Sequence, residues 1–180
     1  MVRLKSEYEA TGGIFVVHAK PIQLFPGVWL TGPVPRKHPE RNWSGHTEVR
    51  TPAGLVEYTL PDDMALIVNT GAGVVIVTGC GHAGVINIVE HARTLVGPQR
   101  VHALIGGVHL FNARDETLRW TAEKLRGFGI DHLLGAHCTG IETVFRLRGE
   151  LQMTRESCVV ATVGSAFELG KGINPRVIAK

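Results

Sequence analysis

The stretch Val74-Val-Ile-Val-Thr-Gly-Cys-Gly-His-Ala-Gly84 constrains this chain more than any other. Four β-branched residues in succession, Val74 to Val77, predict a strand covered on both faces. Gly79, Gly81 and Gly84 let the backbone turn tightly without a Cβ penalty, and a helical pattern starts at once after them. The turn therefore holds a thiol, Cys80, and an imidazole, His82, at a strand end beside a helix N-terminus. Such a place suits soft and borderline metals, and also anions. The idea recurs in Leu133-Leu-Gly-Ala-His-Cys-Thr-Gly140, where an apolar strand again ends on His and Cys and a helix follows.

The rest of the pattern is that of an α/β sheet covered by helices. Gly13–His18, Val28–Thr31 and Leu55–Thr59 read as strands, and Gly32 to Ser44 as one long irregular loop. Ala65–Val68 and Val74–Val77 form a hairpin signal. Val85, Ile88, Val89, Ala92 and Val96 share one face of a helix over 85–96 that Gly97-Pro98 stops. Val101–Ile105 is a strand. Asn112 is placed to cap a helix reaching Arg126, Leu133-Leu134 a short strand, and Thr139-Gly-Ile-Glu142 has capping-box spacing for a helix to Leu147. Val159–Val163 is a late strand, and the last ten residues read as a tail.

At 180 residues the chain is expected to form a single domain, 1–180, with a real core. Hydrophobic residues at 44% and charged residues at 19% argue against disorder. The net charge of +3 is small and basic residues alternate with acids, so no nucleic-acid stripe is expected. No apolar run approaches a membrane span, and no signal-peptide core opens the chain. Three cysteines are too few and odd for a disulfide framework, which predicts a reducing, cytoplasmic setting.

Of nine histidines, His82, His109 and His137 each follow an apolar strand and a glycine. Ligands gather beyond the carboxyl ends of strands in α/β sheets, so three imidazoles delivered there can converge. Zinc takes His nitrogen readily, and a catalytic site needs about three protein ligands plus water. A lone histidine in such a place is more often hydrogen-bonded structure. His18, His38, His46, His91, His102 and His132 lack the setting and read as surface or core. Cys80 and Cys138 adjoin candidate ligands, yet a free cysteine is usually a small buried hydrophobe; Cys158 reads as core. The helix starts after Gly84 and Thr139 offer amides to a phosphate or carboxylate, and Arg36, Lys37 and Arg41 in the irregular loop are placed to clamp an anion. Asp62-Asp63 reads as a turn.

Several motifs together resemble a known family. Phe25-Pro-Gly-Val-Trp-Leu-Thr-Gly-Pro-Val-Pro-Arg36, Asp62-Asp-Met-Ala-Leu66, Val75-Ile-Val-Thr-Gly-Cys-Gly-His-Ala-Gly-Val-Ile-Asn87, Ala103-Leu-Ile-Gly-Gly-Val-His-Leu110 and Ala136-His-Cys-Thr-Gly140 resemble the metallo-β-lactamase superfamily, most of all its dihydropterin-ribofuranosylaminobenzene-phosphate synthase-like branch. Val163-Gly-Ser165 resembles that branch's final strand. The resemblance implies an α/β fold: the second half of an αββα sandwich, one mixed sheet with covering helices. The family's His-x-His-x-Asp-His motif, which belongs to the first half, is not in this sequence. By resemblance His82, His137 and Cys80 face a divalent metal, zinc in the first place and manganese or iron as alternatives. Arg36, His109 and Thr139 then line the place of a small anionic, phosphate-containing substrate. No catalytic group is singled out. The half-sandwich implies an apolar sheet face covered by a missing N-terminal half or by a homodimer partner. Three functions compete: a metal-dependent hydrolase completed by that half, a non-catalytic half-fold serving as a dimerisation or subunit module, and a Cys-His hydrolase built on Cys138 or Cys80.

Overall fold

The computed structural model describes residues 2–40 and 48–174. Arg41 and His46 lie outside the described residues. The elements run α1 (Val2–Ala10), β1 (Ile22–Phe25), β2 (Val28–Leu30), β3 (Glu48–Thr51), β4 (Gly54–Glu57), β5 (Ala65–Thr70), β6 (Gly73–Thr78), α2 (Val85–Val96), β7 (Val101–Gly106), α3 (Asp115–Gly127), β8 (His132–Gly135), a single 3₁₀ turn (His137–Thr139), α4 (Ile141–Glu150), β9 (Cys158–Val160), β10 (Ala166–Glu168) and β11 (Gly172–Asn174).

One seven-stranded sheet dominates, in the order β1-β2-β5-β6-β7-β8-β9, with two small hairpins, β3-β4 and β10-β11, beside it. The sheet is mixed, as expected from the sequence. Pairing is antiparallel from β1 to β6 and parallel from β6 to β9. The change falls at β6 because a two-residue turn, Gly71-Ala72, suffices to reverse the chain after β5, whereas α2, α3 and α4 each carry it back to a parallel start. Val74 to Ile76 are buried on both faces, which the unbroken β-branched run requires.

Ile67, Val74, Ile76, Leu104 and Leu133 join Ile86, Ile88, Val89, Leu118, Leu125, Val144 and Leu147 of the three helices in one core. On the other face, Leu134 and Val159 pack with Ile173, Phe167 and Ile105 under the β10-β11 hairpin. Beyond that hairpin this second face carries Leu66, Val68 and Val77, each only half-buried.

The structure departs from the sequence reading in several places. Gly13–His18 forms no strand; Ile14 to Val17 are exposed, and Phe15 instead meets the ring of Tyr8 edge-on at 5.2 Å. α3 begins at Asp115 because residues 111–112 make a turn closed by Ala113 N to Leu110 O. Asp115 and Glu116 in its first turn suit the helix dipole. α4 is preceded by Gly140, not capped by Thr139. β9 stops at Val160, since Thr162 and Ser165 close a turn on each other, and Val163 is fully exposed. Residues 172–174, read as tail, are the strand β11.

Candidate functional site

Three turns meet at the carboxyl ends of β6, β7 and β8. Gly107 N donates to Gly79 O at 3.0 Å and Ala136 N to Gly106 O at 2.8 Å, so the turns are tied edge to edge. Thr78 Oγ1 donates to Gly107 O at 2.7 Å. A Cβ on Gly107 would lie 2.4 Å from Gly79 O and 3.0 Å from the Cys138 sulfur, so only glycine allows this approach.

Into this junction the turns bring Cys80 and His82, then His109, then His137 and Cys138. Cys80 Sγ lies 3.2 Å from His137 Nδ1, and Cys138 Sγ lies 3.4 Å from Cys80 Sγ and 3.2 Å from Cys80 O. The rings of His82 and His109 meet at 4.5 Å between centroids, edge to face. Donor atoms of Cys80, His109 and Cys138 all lie within 4.8 Å of one another. Among the described residues only four other than glycine have a positive φ, and His109 (+47°) and His137 (+48°) are two of them. Two of the site imidazoles thus sit on left-handed backbone, as do Leu60 and Gln152 away from the junction.

Both ring nitrogens of His109 are buried with no hydrogen-bond partner among the described residues. Burial first, then the neighbouring His82 and His137, holds its pKa below the ordinary imidazole value, which favours the uncharged ring. Burial and the adjoining Cys80 sulfur push the Cys138 thiol up to about 12. His82 is partly buried and His137 exposed.

The loop of residues 32–40 braces the first of these turns. Arg36 donates to His82 O at 2.7 Å and to Thr59 O at 2.5 Å. Asp63 accepts from Ala83 N at 2.9 Å. Glu40, buried, accepts from Ile86 N at 3.1 Å and Asn87 N at 2.8 Å. The α2 amides read from sequence as open to an anion are therefore capped by a carboxylate of the chain itself. Burial raises the Glu40 pKa, against the pull of those amides. Asn87, 1% exposed, accepts from Lys37 N and His38 N at 2.8 Å each and donates to Ala83 O and His38 O. Thr139 is buried, with its hydroxyl accepting from Val108 N at 3.2 Å and close to Gly106 O, which gives it a bracing position between turns.

Sequence reading named Cys80, His82, His109 and His137, and the structure brings all four together. From the residues alone Cys138, like Cys80, reads as a small buried hydrophobe; in the structure both are partly buried and their sulfurs are neighbours, as the second His-Cys turn allows. The bracing groups Glu40, Asp63 and Asn87 went unnoticed, since their roles depend on contacts across 20 to 50 residues of chain. His102, Asp131 and His132 form a second group within 4.8 Å at the opposite rim, but there His102 Nδ1 pairs with Asp131 and His132 Nδ1 with His102 O. No helix among the described residues is long and apolar enough to cross a membrane.

The fold is that of the metallo-β-lactamase superfamily: a solved structure, Tm1679, described as a metal-dependent hydrolase of the beta-lactamase superfamily, superposes with a TM-score of 0.64 at 24% identity, over 78% of this chain and 54% of that one. In sequence the chain is related to 7,8-dihydropterin-6-methyl-4-(beta-D-ribofuranosyl)-aminobenzene-5'-phosphate synthase of Methanocaldococcus jannaschii, being 30% identical over 147 residues that take in 77% of this chain and 48% of that protein. An uncharacterised protein of the same organism, MJ0448, is 34% identical over 88 residues, covering 48% of this chain and 30% of its own length. The chain thus spans about half the length, or less, of the curated relatives it matches. No protein-family model matches it.

Proposed function

We propose that this chain supplies one side of a divalent-metal centre in a hydrolase of the metallo-β-lactamase superfamily, acting on a small anionic, phosphate-containing molecule. The observation that carries the reading is His109, with two buried ring nitrogens lacking any described partner, packed beside two thiols and two further imidazoles. A buried polar group without a partner calls for one, and a cation is the partner that a neutral imidazole among sulfurs fits. About three of the five donors would hold the metal and leave a position for water: Cys80, His109 and Cys138 share one cluster, with His82 against His109 and His137 against Cys80 as the further candidates. Two sulfurs among the donors favour zinc over manganese or iron. The metal, when bound, lowers the pKa of its water and so supplies hydroxide at neutral pH.

The chain's own residues set the frame. Arg36 fixes the carbonyl of His82, Gly107 lets the turns touch, and Thr139 ties the β7 turn to the β8 turn. In this reading Arg36 and Thr139 position the site rather than grip substrate, because their polar atoms already bind backbone. The phosphate-containing substrate class is suggested by the synthase's name alone. The half-buried face of Leu66, Val68 and Val77 supports completion of the centre by a further protein layer, in the same chain or a partner.

The same apolar face also favours a second reading, a half-fold that serves as a dimerisation or subunit module without chemistry. Zinc titration followed by elemental analysis separates the two. One zinc per chain, lost in His109→Ala while the fold persists by circular dichroism, supports the metal centre. A metal-free dimer that ignores added zinc supports the module.

A further inference from the structure

We propose that Cys80 and Cys138 are a peroxide-reactive dithiol, in which Cys80 is oxidised first and Cys138 closes a disulfide on it. The two sulfurs stand 3.4 Å apart, so the bond needs them to approach by about 1.4 Å from their present places, given a disulfide length of about 2.05 Å. They belong to different turns, yet the turns are already locked together through Gly107 N to Gly79 O and through the glycine at 107 that leaves room for the Cys138 sulfur.

The two cysteines are not equivalent. His137, whose Nδ1 lies 3.2 Å from the Cys80 sulfur, is exposed, so a small oxidant has a route to Cys80. Cys138 is placed to donate its S–H toward Cys80 Sγ and Cys80 O. Cys158, the remaining thiol, is sealed in the core against Val144 O.

The chemistry balances with hydrogen peroxide as the oxidant. Cys80, attacking as its thiolate, forms a bond to one peroxide oxygen. The O–O bond breaks, Cys80 becomes a sulfenic acid, and the departing hydroxide takes up the proton that the thiol gave to solvent and leaves as water. The Cys138 sulfur then attacks the Cys80 sulfur, the S–O bond breaks, and a second water leaves with the thiol proton. Two thiols have lost two electrons and two protons to one peroxide, and a low-molecular-weight thiol reverses the change. Closure would also remove both sulfur donors from the junction, making the oxidation a switch on that site. The inference does not rest on the metal reading, because the two neighbouring sulfurs suffice for it.

The test uses the full chain after chelator treatment, exposed to a small excess of hydrogen peroxide. The expected result is loss of two of the three thiols, a mass lower by two hydrogens, and a peptide linking Cys80 to Cys138, all reversed by dithiothreitol. Cys138→Ser should stop at a Cys80 sulfenic acid that dimedone traps, and Cys158→Ser should still form the link. A chain with no Cys80–Cys138 link, or a Cys138→Ser variant with no adduct at Cys80, overturns the proposal. Zinc content measured on the untreated chain keeps the two readings apart. Zinc without a link sinks only the dithiol, and a link without zinc sinks only the metal centre.

Discussion

Asn87→Ala probes how far the site depends on the loop that braces it. Asn87 is 1% exposed and makes four hydrogen bonds, three of them to loop residues 37 and 38 and one to Ala83 O. Each contributes about 1 kcal/mol net, and leaving a buried partner such as Ala83 O without its donor costs about as much again. Lys37 and His38 sit in a partly open loop and recover some solvation, so the sum comes to about 4 kcal/mol. For a chain of this size that lowers the melting temperature by roughly 8–16 °C. Urea unfolding measures the free energy, and amide exchange of residues 32–40 in native buffer locates it. The loop should exchange faster first, because Asn87 is its anchor on α2. Arg36 would then lose its hold on His82 O, so the damage should extend to the turn of Cys80 and His82. A loss under about 1 kcal/mol, or a full loss with loop exchange unchanged, would refute the reasoning.

Other outcomes follow from the same structure. Arg36→Ala should weaken zinc binding by about 10- to 100-fold while leaving the number of sites unchanged, as expected for a group that orients a ligand; isothermal titration reads both. Burial lifts the Cys158 thiol from 9.0 to about 11, which makes stability depend on alkaline pH. Because the folded pKa is raised, the contribution is complete below pH 9 and is lost as pH climbs toward 11, about 3 kcal/mol in all. Cys158→Ala should flatten that part of the stability–pH curve relative to the unaltered chain, and an equally steep curve would contradict it. Gly107→Ala should disrupt the junction more than Gly71→Ala, since the added methyl meets Gly79 O at 2.4 Å in the first case and open space in the second; thiol reactivity of Cys80 and Cys138 reports the difference.

How much of this was legible in the sequence depended on whether a signal was local. α2 matched its expected limits because amphipathic spacing and Gly97-Pro98 are both local. The β5-β6 hairpin was equally plain. β1 and β3 were missed: Ile22–Phe25 is four residues between prolines, and Glu48–Thr51 is largely polar and mostly exposed, with one apolar residue, Val49. Gly13–His18 failed the other way, since an apolar run states composition but not a pairing partner. Thr139 had the spacing of a cap, yet tertiary contacts with Val108 N and Gly106 O claimed its hydroxyl. At the site, strand-end position singled out three histidines. The role of Cys138 and the bracing by Glu40 and Asn87 required the turns to be seen side by side.

The most direct measurement is the absorption spectrum of the chain titrated with cobalt(II), an ion that reports its ligands. If the donors of the three turns converge on one cation, one equivalent should produce a near-ultraviolet sulfur-to-cobalt charge-transfer band. That band should weaken in Cys80→Ser and in Cys138→Ser, and vanish when both are replaced. A spectrum with no such band, or one that survives removal of both thiols, would contradict the account.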